Sequence, residues 1–421
     1  MSYSRNVKTI IKIVGIGGAG CNAINNITET VGDKIRSYMS KDGTDYSIIA
    51  MNTDRQSLDH INADLKLQLG CDGRGAGSNP DAGREAAQYS SEDIKQALDG
   101  ATLIIIFTGL GGGTGSGSTS EVAKIAKEMG ILVIVIATKP FSFEGKFRMN
   151  IALKAIEELK KSADLTVILS NDSLYTVTSN NTSFIDAFRY MDEFVKSVVV
   201  AIIDALMQTG LVNVDFADMR MIIEDKGMGV LGIGESEGED AAKKAVELAL
   251  SNPILEQKEL NGATGAMVYI AGTKNICLSD VNTIVSSVYE KLNNDDAKVI
   301  YGSTLCDNAL GDDVFIKDVN STEKRIKVLL IVTGLNNDQN INNNNKNTYR
   351  DDIKSIFKTL DSNLEKDNNI LEININKSNN DNKNDNISFN SKNNKSIKIS
   401  NNSDGKNTGF FASISKLFSW L

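Results

Sequence analysis

Five glycines crowd into the seven positions Gly111-Gly112-Gly113-Thr114-Gly115-Ser116-Gly117. An apolar, β-branched run, Leu103 to Thr108, precedes them, and a helical pattern, Glu121 to Met129, follows. The glycines therefore form the turn between a buried strand and the start of a helix. Glycine lets backbone approach a ligand and adopts φ > 0 without steric cost. A helix N-terminus adds unpaired N–H donors and the positive end of the dipole. Such a junction is an anion cradle, and phosphate is its natural occupant.

A second junction of the same kind opens the chain. Ile10 to Val14 reads as a strand, Gly15-Ile16-Gly17-Gly18-Ala19-Gly20-Cys21-Asn22 follows, and a helix starts at Ala23. Gly15, Gly17 and Gly20 satisfy the dinucleotide fingerprint G-x-G-x-x-G. The next strand, Tyr46 to Met51, runs into Asn52-Thr53-Asp54, so an acidic residue for a ribose is available and an NAD-dependent oxidoreductase is one reading. Two phosphate cradles on one sheet edge suit a polyphosphate gripped from two sides better. Neither loop has the Gly-Lys-Ser/Thr of a P-loop, which excludes a Walker-type ATPase.

Residues 7–180 alternate strand and helix patterns. Strands are expected at Ile10–Val14, Tyr46–Met51, Leu103–Phe107, Leu132–Ala137 and Leu165–Leu169, with helices such as Pro80–Tyr89 and Met149–Ser162 between them. That alternation predicts an α/β fold: a parallel, Rossmann-like sheet covered on both faces, with ligands at the strands' carboxyl ends. Ser183 to Gln208 keeps helical spacing and is apolar all round from Val198 to Ile203, so residues 181–210 are read as a buried central helix ended by Gly210. Residues 211–335 form a second, smaller α+β domain. It has helix patterns at Asp240–Ser251 and Ser279–Lys291, and strand patterns at Met267–Ala271, Val299–Leu305, Val314–Val319 and Ile326–Thr333, predicting a mixed sheet.

The order of these motifs resembles the tubulin/FtsZ family of GTPases over about residues 7 to 335. Gly111–Gly117 is similar to the family's signature loop, and Gly15–Asn22 to its first loop. Asn52-Thr53-Asp54 resembles its third loop, Pro140–Arg148 its sugar-binding loop, and Asn213-Val214-Asp215-Phe216-Ala217-Asp218 its catalytic loop. The resemblance implies a GTP-hydrolysing protein with Mg2+ on the phosphates. It implies that Gly17, Gly18, Ala19, Gly20, Gly111, Gly112, Gly113, Thr114 and Gly115 offer N–H groups to phosphate, with Cys21 and Asn22 in the same pocket. Gly75-Ala76-Gly77 is placed over the γ-phosphate, although Asp72 stands where the family has a basic residue. Glu144 and Arg148 match ribose and phosphate contacts. Asp192 matches the guanine-reading position, where a carboxylate accepts from guanine N1–H and N2–H2 and rejects adenine. Asn213, Asp215 and Asp218 match the residues that orient the attacking water in the next subunit's site.

The central helix gives that last point an independent basis. At about 1.5 Å per residue it separates the glycine loops from Asp215 and Asp218 by roughly 39 Å. Those carboxylates reach a neighbour's nucleotide rather than their own, and a heterologous contact that does not close builds a filament. The resemblance extends this expectation to a head-to-tail homopolymer forming a division ring in the cytoplasm at mid-cell. A tubulin-like filament with another cellular role shares every motif.

The remaining composition narrows the class further. Net charge is −9, which suggests no nucleic-acid partner. The four cysteines lack Cys-x-x-Cys spacing, and the polar Met1–Lys8 has no signal-peptide core. Cys21 sits at a helix N-terminus, where a lowered thiol pKa and shielding by nucleotide are expected. The single histidine, His60, reads as an ordinary helix residue, so Ser-His or Cys-His chemistry has at most one site. Residues 336–407 are dominated by Asn, Lys, Asp and Ser and read as a disordered tether, apart from a transient helix at Tyr349–Leu364. About 70 such residues span roughly 45 Å root-mean-square. Residues 408–421 read as an amphipathic helix with Phe410, Phe411, Ile414, Leu417, Phe418 and Leu421 on one face. That tail lacks the family's usual Asp-Ile-Pro peptide. It is expected to bind division or membrane-tethering proteins, or a membrane surface directly.

Overall fold

The computed structural model describes residues 9–40, 47–177, 182–207, 210–251, 260–305, 324–335 and three short strands beyond residue 370. Met1–Asn336 forms one compact unit and Asn337–Leu421 a second.

The first half of the first unit alternates as its pattern dictates. In order come β1 (Ile11–Ile16), α1 (Gly17–Ser40), β2 (Ser47–Asn52), α2 (Arg55–Asp59), β3 (Leu65–Gln68), α3 (Pro80–Tyr89), α4 (Ser91–Leu98), β4 (Leu103–Gly109), α5 (Gly113–Glu128), β5 (Leu132–Lys139), α6 (Lys146–Ser162), β6 (Leu165–Ser170) and α7 (Leu174–Val177). Every pairing among β1 to β6 is parallel, in the order β3-β2-β1-β4-β5-β6. Strand residues divide by parity. Leu103, Ile105 and Phe107 of β4 enter one apolar layer, while Ile104 and Ile106 enter the other. Both faces are therefore covered, as a parallel sheet requires.

The second half comprises α8 (Phe184–Met207), α9 (Phe216–Ile223), β7 (Gly227–Glu237), α10 (Ala241–Leu250), β8 (Gly265–Gly272), α11 (Leu278–Leu292), β9 (Lys298–Leu305) and β10 (Arg325–Thr333). Its sheet is mixed, with β10 antiparallel to β7 and β8, and β8 parallel to β9. It is not separate from the first. Leu165, Thr166 and Val167 of β6 pair with Gly227, Met228 and Gly229 of β7, so ten strands form one continuous sheet. The residues of α8 from Val198 to Ile203 are fully buried in a core shared by both halves.

Strand β7 has no apolar alternation strong enough to announce it. Its glycines let α10 lie on the strand: a Cβ at Gly232 would sit 2.0 Å from the Ala249 carbonyl oxygen, and one at Gly234 2.0 Å from that of Ala245. The expected strand at Val314–Val319, the helix at Tyr349–Leu364 and the tail at 408–421 lie outside the described residues.

Within the stretch read as a tether, the second unit has an antiparallel sheet of β11 (Leu371–Ile375), β12 (Asn386–Ser391) and β13 (Ser396–Ser400). The reason is local alternation: Ile373 pairs with Phe389, and Ile387 with both Ile375 and Ile399.

Candidate functional site

The loops after β1, β2, β4, β5 and β6 share the sheet's carboxyl edge. Both glycine junctions are tighter than expected, because the glycines form the first turns of α1 and α5 rather than free turns. Only the entry residues adopt left-handed backbone, Gly17 at φ 73° and Gly111 at φ 96°. A Cβ at Gly17 would stand 3.0 Å from the Gly115 nitrogen, so the two helix N-termini meet. Neither helix has an acidic residue in its first turn. Two uncompensated dipoles and their free N–H groups thus face one place, the requirement for holding an anion.

The glycines divide into two kinds. A Cβ at Gly20 would lie 2.1 Å from the Phe107 carbonyl oxygen, one at Gly115 2.2 Å from that of Gly109, and one at Gly117 1.9 Å from that of Pro80. These positions let helices and strands touch. A Cβ at Gly18 or Gly112 would meet nothing within 4 Å. Gly18 and Gly112 are therefore the positions that face open space in the cradle, beside exposed Ala19 and Asn22.

Other segments close around the same point. Thr114 Oγ1 lies 2.6 Å from Thr53 Oγ1, which joins the signature loop to the end of β2. The Gly75 N–H donates to the Thr53 carbonyl at 3.0 Å, and a Cβ at Gly113 would lie 2.7 Å from Ala76 Cβ. The Gly75-Ala76-Gly77 turn is thereby set over the cradle, with Gly75 and Gly77 exposed. The Pro140–Arg148 loop flanks Gly111, whose Cα faces the Arg148 carbonyl and the Pro140 ring. Glu144 and Arg148 form an ion pair with each other, and Glu144 Oε1 accepts from the Phe141 N–H at 2.8 Å.

The start of α8 reaches this edge through aromatics, since the Phe141 ring packs edge-on to Phe188 at 5.8 Å and to Tyr175 at 5.9 Å. One turn along α8, Asp192 is half-buried. Burial, with a smaller push from the Glu193 charge, raises its pKa to about 6. A carboxylate short of solvation there is suited to accept hydrogen bonds from a ligand.

Cys21 corrects the expectation of a reactive thiol. The residue is 1% exposed, and its Sγ lies 3.6 Å from both the Gly15 and Met51 carbonyl oxygens, which share its single S–H donor. Burial outweighs a backbone hydrogen bond at Met51 and pushes the thiol up to about 12. Only its backbone is positioned to face a nucleotide. His60 is exposed and ends α2.

Asn213, Asp215 and Asp218 lie at the other end of α8, which at 24 residues is about 36 Å long. Asp215 caps α9: its Oδ1 accepts from the Asp218 N–H at 2.7 Å. Asn213 Oδ1 accepts from the Gly210 N–H at 2.6 Å. The structure therefore gathers the glycine loops, Thr114, Glu144 and Arg148 at one edge and leaves these three residues apart.

Two contributors escaped the sequence reading. Thr53 was visible only as part of a loop. Asp172 accepts from the Ser142 N–H at 2.9 Å and also contacts Ser142 Oγ, anchoring the Pro140–Arg148 loop. Its position just beyond β6, on the ligand-bearing edge, is the signal that marks it.

Known proteins share this layout. Residues 10–179 match the model of the Tubulin/FtsZ family, GTPase domain, and residues 227–336 that of the FtsZ family, C-terminal domain. Across 360 residues the chain is 35% identical to the cell division protein FtsZ of Buchnera aphidicola subsp. Baizongia pistaciae, covering 85% of this chain and 87% of that one. The chain belongs to the tubulin/FtsZ family. The FtsZ of Rickettsia bellii is 38% identical over 301 residues, which is 71% of this chain but 63% of the Rickettsia protein, a little under two thirds of its length. A solved FtsZ dimer from M. jannaschii superposes with a TM-score of 0.65 at 36% identity, covering 78% of this chain and 88% of that one. CetZ2 from Haloferax volcanii, at 19% identity and a TM-score of 0.64, covers 83% of this chain and 99% of its own, and shares the fold. Within the tubulin/FtsZ family, the GTPase-domain match contains the whole cradle, while Asp192 and the Asn213–Asp218 loop fall between the two matched segments.

Proposed function

We propose that this protein binds GTP in the cradle between α1 and α5 and hydrolyses it only after head-to-tail assembly. In this reading Gly18, Gly112 and the first-turn N–H groups of both helices, from Gly17 to Cys21 and Gly113 to Gly115, hold the phosphates. Thr114 adds its hydroxyl, and Gly75-Ala76-Gly77 covers the γ-phosphate. Glu144 and Arg148 exchange part of their mutual pairing for ribose and phosphate. Ionised Asp192 accepts from guanine N1–H and N2–H2, and Asn22 contacts the base or sugar.

The observation that carries the proposal is the separation of Asp215 and Asp218 from the cradle by the length of α8. No carboxylate of the catalytic-type loop reaches its own chain's γ-phosphate, so the site is completed by a second copy. There Asp215, Asp218 and Asn213 hold the attacking water in line with the γ-phosphate, supplying positioning rather than covalent chemistry. Exposed apolar side chains at both ends support the contact: Phe143, Phe147, Tyr175 and Ile185 near the cradle, and Leu211, Val212, Met221 and Tyr301 near the loop.

Magnesium fits as an ion carried by the nucleotide. Among the described residues no three His, Cys, Asp or Glu side chains gather to hold a metal. The donors at the cradle are the Thr53 and Thr114 hydroxyls, compatible with an ion that keeps its waters and binds mainly phosphate. When bound it would neutralise charge on the nucleotide's phosphates.

The relatives' name as cell division proteins supports a filament that forms the division ring at mid-cell. The tail at 408–421 would link it to division or membrane-tethering proteins, or to the membrane surface. No helix among the described residues is long and apolar enough to cross a membrane. Fluorescent tagging tests the cellular role: a mid-cell ring supports it, and a pattern unrelated to the septum contradicts it.

A further inference from the structure

We propose that Arg220 is a positioning residue for the loop carrying Asp215 and Asp218, holding α9 against the far end of the helix that begins at the phosphate cradle. The inference rests on the shared-site reading above. Met219, Ile222 and Ile223 bury one side of α9, and the Ile222 carbonyl accepts from Thr333 Oγ1 at 2.7 Å. Those contacts fix the depth of an eight-residue helix, while its partly exposed N-terminal end, with Asp215 as cap and Asp218 in the first turn, needs a lateral hold.

Arg220 supplies that hold from one planar group. Nη2 donates to the Gly130 carbonyl at 3.1 Å, and Nη1 pairs with Glu224 Oε1 at 2.8 Å. The guanidinium carbon lies 5.4 Å from the centroid of the Phe216 ring, and Phe216 directly follows Asp215. The start of α9, its end and a carbonyl on another element thus meet at a single side chain. Only an arginine fork does this; a lysine ammonium is a point donor.

Gly130 lies just beyond α5, and α5 adds a second strap beside it. Lys127, in its last turn, pairs with Asp225 at 2.7 Å and Asp164 at 3.0 Å. The Asp164 carbonyl accepts from the Lys226 and Gly227 N–H groups, both at 3.0 Å. The turn after α9 is therefore fastened to α5. At 16 residues α5 is about 24 Å long and starts at Gly113 and Thr114. One helix connects the chain's own phosphate cradle to the loop that serves its neighbour.

The test uses the full-length chain with Arg220→Ala and Arg220→Lys. Three quantities are read: affinity for a fluorescent GTP analogue, pelleting with a slowly hydrolysed GTP analogue, and phosphate release per pelleted chain with GTP. Affinity is expected to stay within about twofold, since Arg220 does not touch the cradle, and reading phosphate release per pelleted chain separates any change in assembly from the change in rate. Phosphate release per pelleted chain is expected to fall at least about tenfold in Arg220→Ala, because displacements near 1 Å cost up to about 100-fold. Arg220→Lys should recover part of the loss. Pelleted Arg220→Ala releasing phosphate at the wild-type rate overturns the inference. If Arg220→Ala fails to fold, Glu224→Gln replaces it, removing the charge that Arg220 Nη1 pairs with at a side chain 47% exposed, and a wild-type rate there overturns the inference equally. If Asp215→Ala also releases phosphate normally, the shared-site reading itself fails.

Discussion

Replacing Gly117 and Gly112 by alanine separates the packing glycines from those facing the ligand. At Gly117 the new Cβ falls 1.9 Å from the Pro80 carbonyl oxygen and 2.8 Å from the Arg84 nitrogen, both rigid backbone of α3. Even 3.0 Å is closer than side chains tolerate, so α3 and α5 must part by about 1 Å. Overpacking of this kind costs about 1–3 kcal/mol. For a unit spanning Met1–Asn336 that lowers the melting temperature by about 1–4 °C. At Gly112 the Cβ meets nothing within 4 Å, and the backbone, at φ −102°, suits any residue. Its stability should change by no more than about 0.5 kcal/mol. Nucleotide affinity should order the other way, because the Gly112 methyl projects into the space assigned to phosphate. Thermal melting by circular dichroism and titration with a fluorescent GTP analogue read the two effects. A Gly117→Ala chain that melts with wild type, or a Gly112→Ala chain that keeps full affinity, refutes the assignment.

Asp192 predicts a pH effect in two directions. Its raised pKa, about 6 in the free chain, means that stability is greatest with the carboxyl protonated, below its ordinary 3.8, and is lost as pH rises through 6. GTP needs the ionised form, so affinity should rise between pH 5 and 7. Asp192→Asn should flatten both trends and erase the preference for guanine; persistence of either trend contradicts the assignment. Maleimide should label Cys71 and Cys277 in the native chain and leave Cys21 unmodified with or without GTP, as mass spectrometry of peptides will read. Asp172→Ala should weaken nucleotide binding about 2–10-fold through the freed Pro140–Arg148 loop, as expected for a lost hydrogen-bond anchor; calorimetric titration checks it.

The legible parts of this chain are those with local causes. Helix α3 begins and ends where expected because Asn79 caps it and Pro80 opens it: Asn79 Oδ1 accepts from the Asp81 N–H at 3.0 Å. Strands β4 and β5 announce themselves through unbroken apolar runs buried on both faces. Strand β7 was not legible. Four glycines in Gly227–Glu237 suppress the strand signal, and the purpose of two of them, Gly232 and Gly234, appears only once Ala249 and Ala245 of α10 are placed against them. The candidate site shows the same division. The cradle's location followed from two glycine runs, but which glycines pack and which face open space depends on residues such as Phe107 against Gly20 and Pro80 against Gly117, distant in sequence. Cys21 misled for that reason: its helix position is local, while the burial that governs its thiol comes from β1 and β2.

Phosphate release per chain, measured across total protein concentration with GTP and magnesium, tests the shared site most directly. The account predicts almost no release below a threshold concentration, the onset of pelleting at that same threshold, and loss of release in Asp215→Ala with GTP binding retained. A constant rate per chain down to the lowest concentration, with no pelleting, would contradict it and leave only a nucleotide-binding fold.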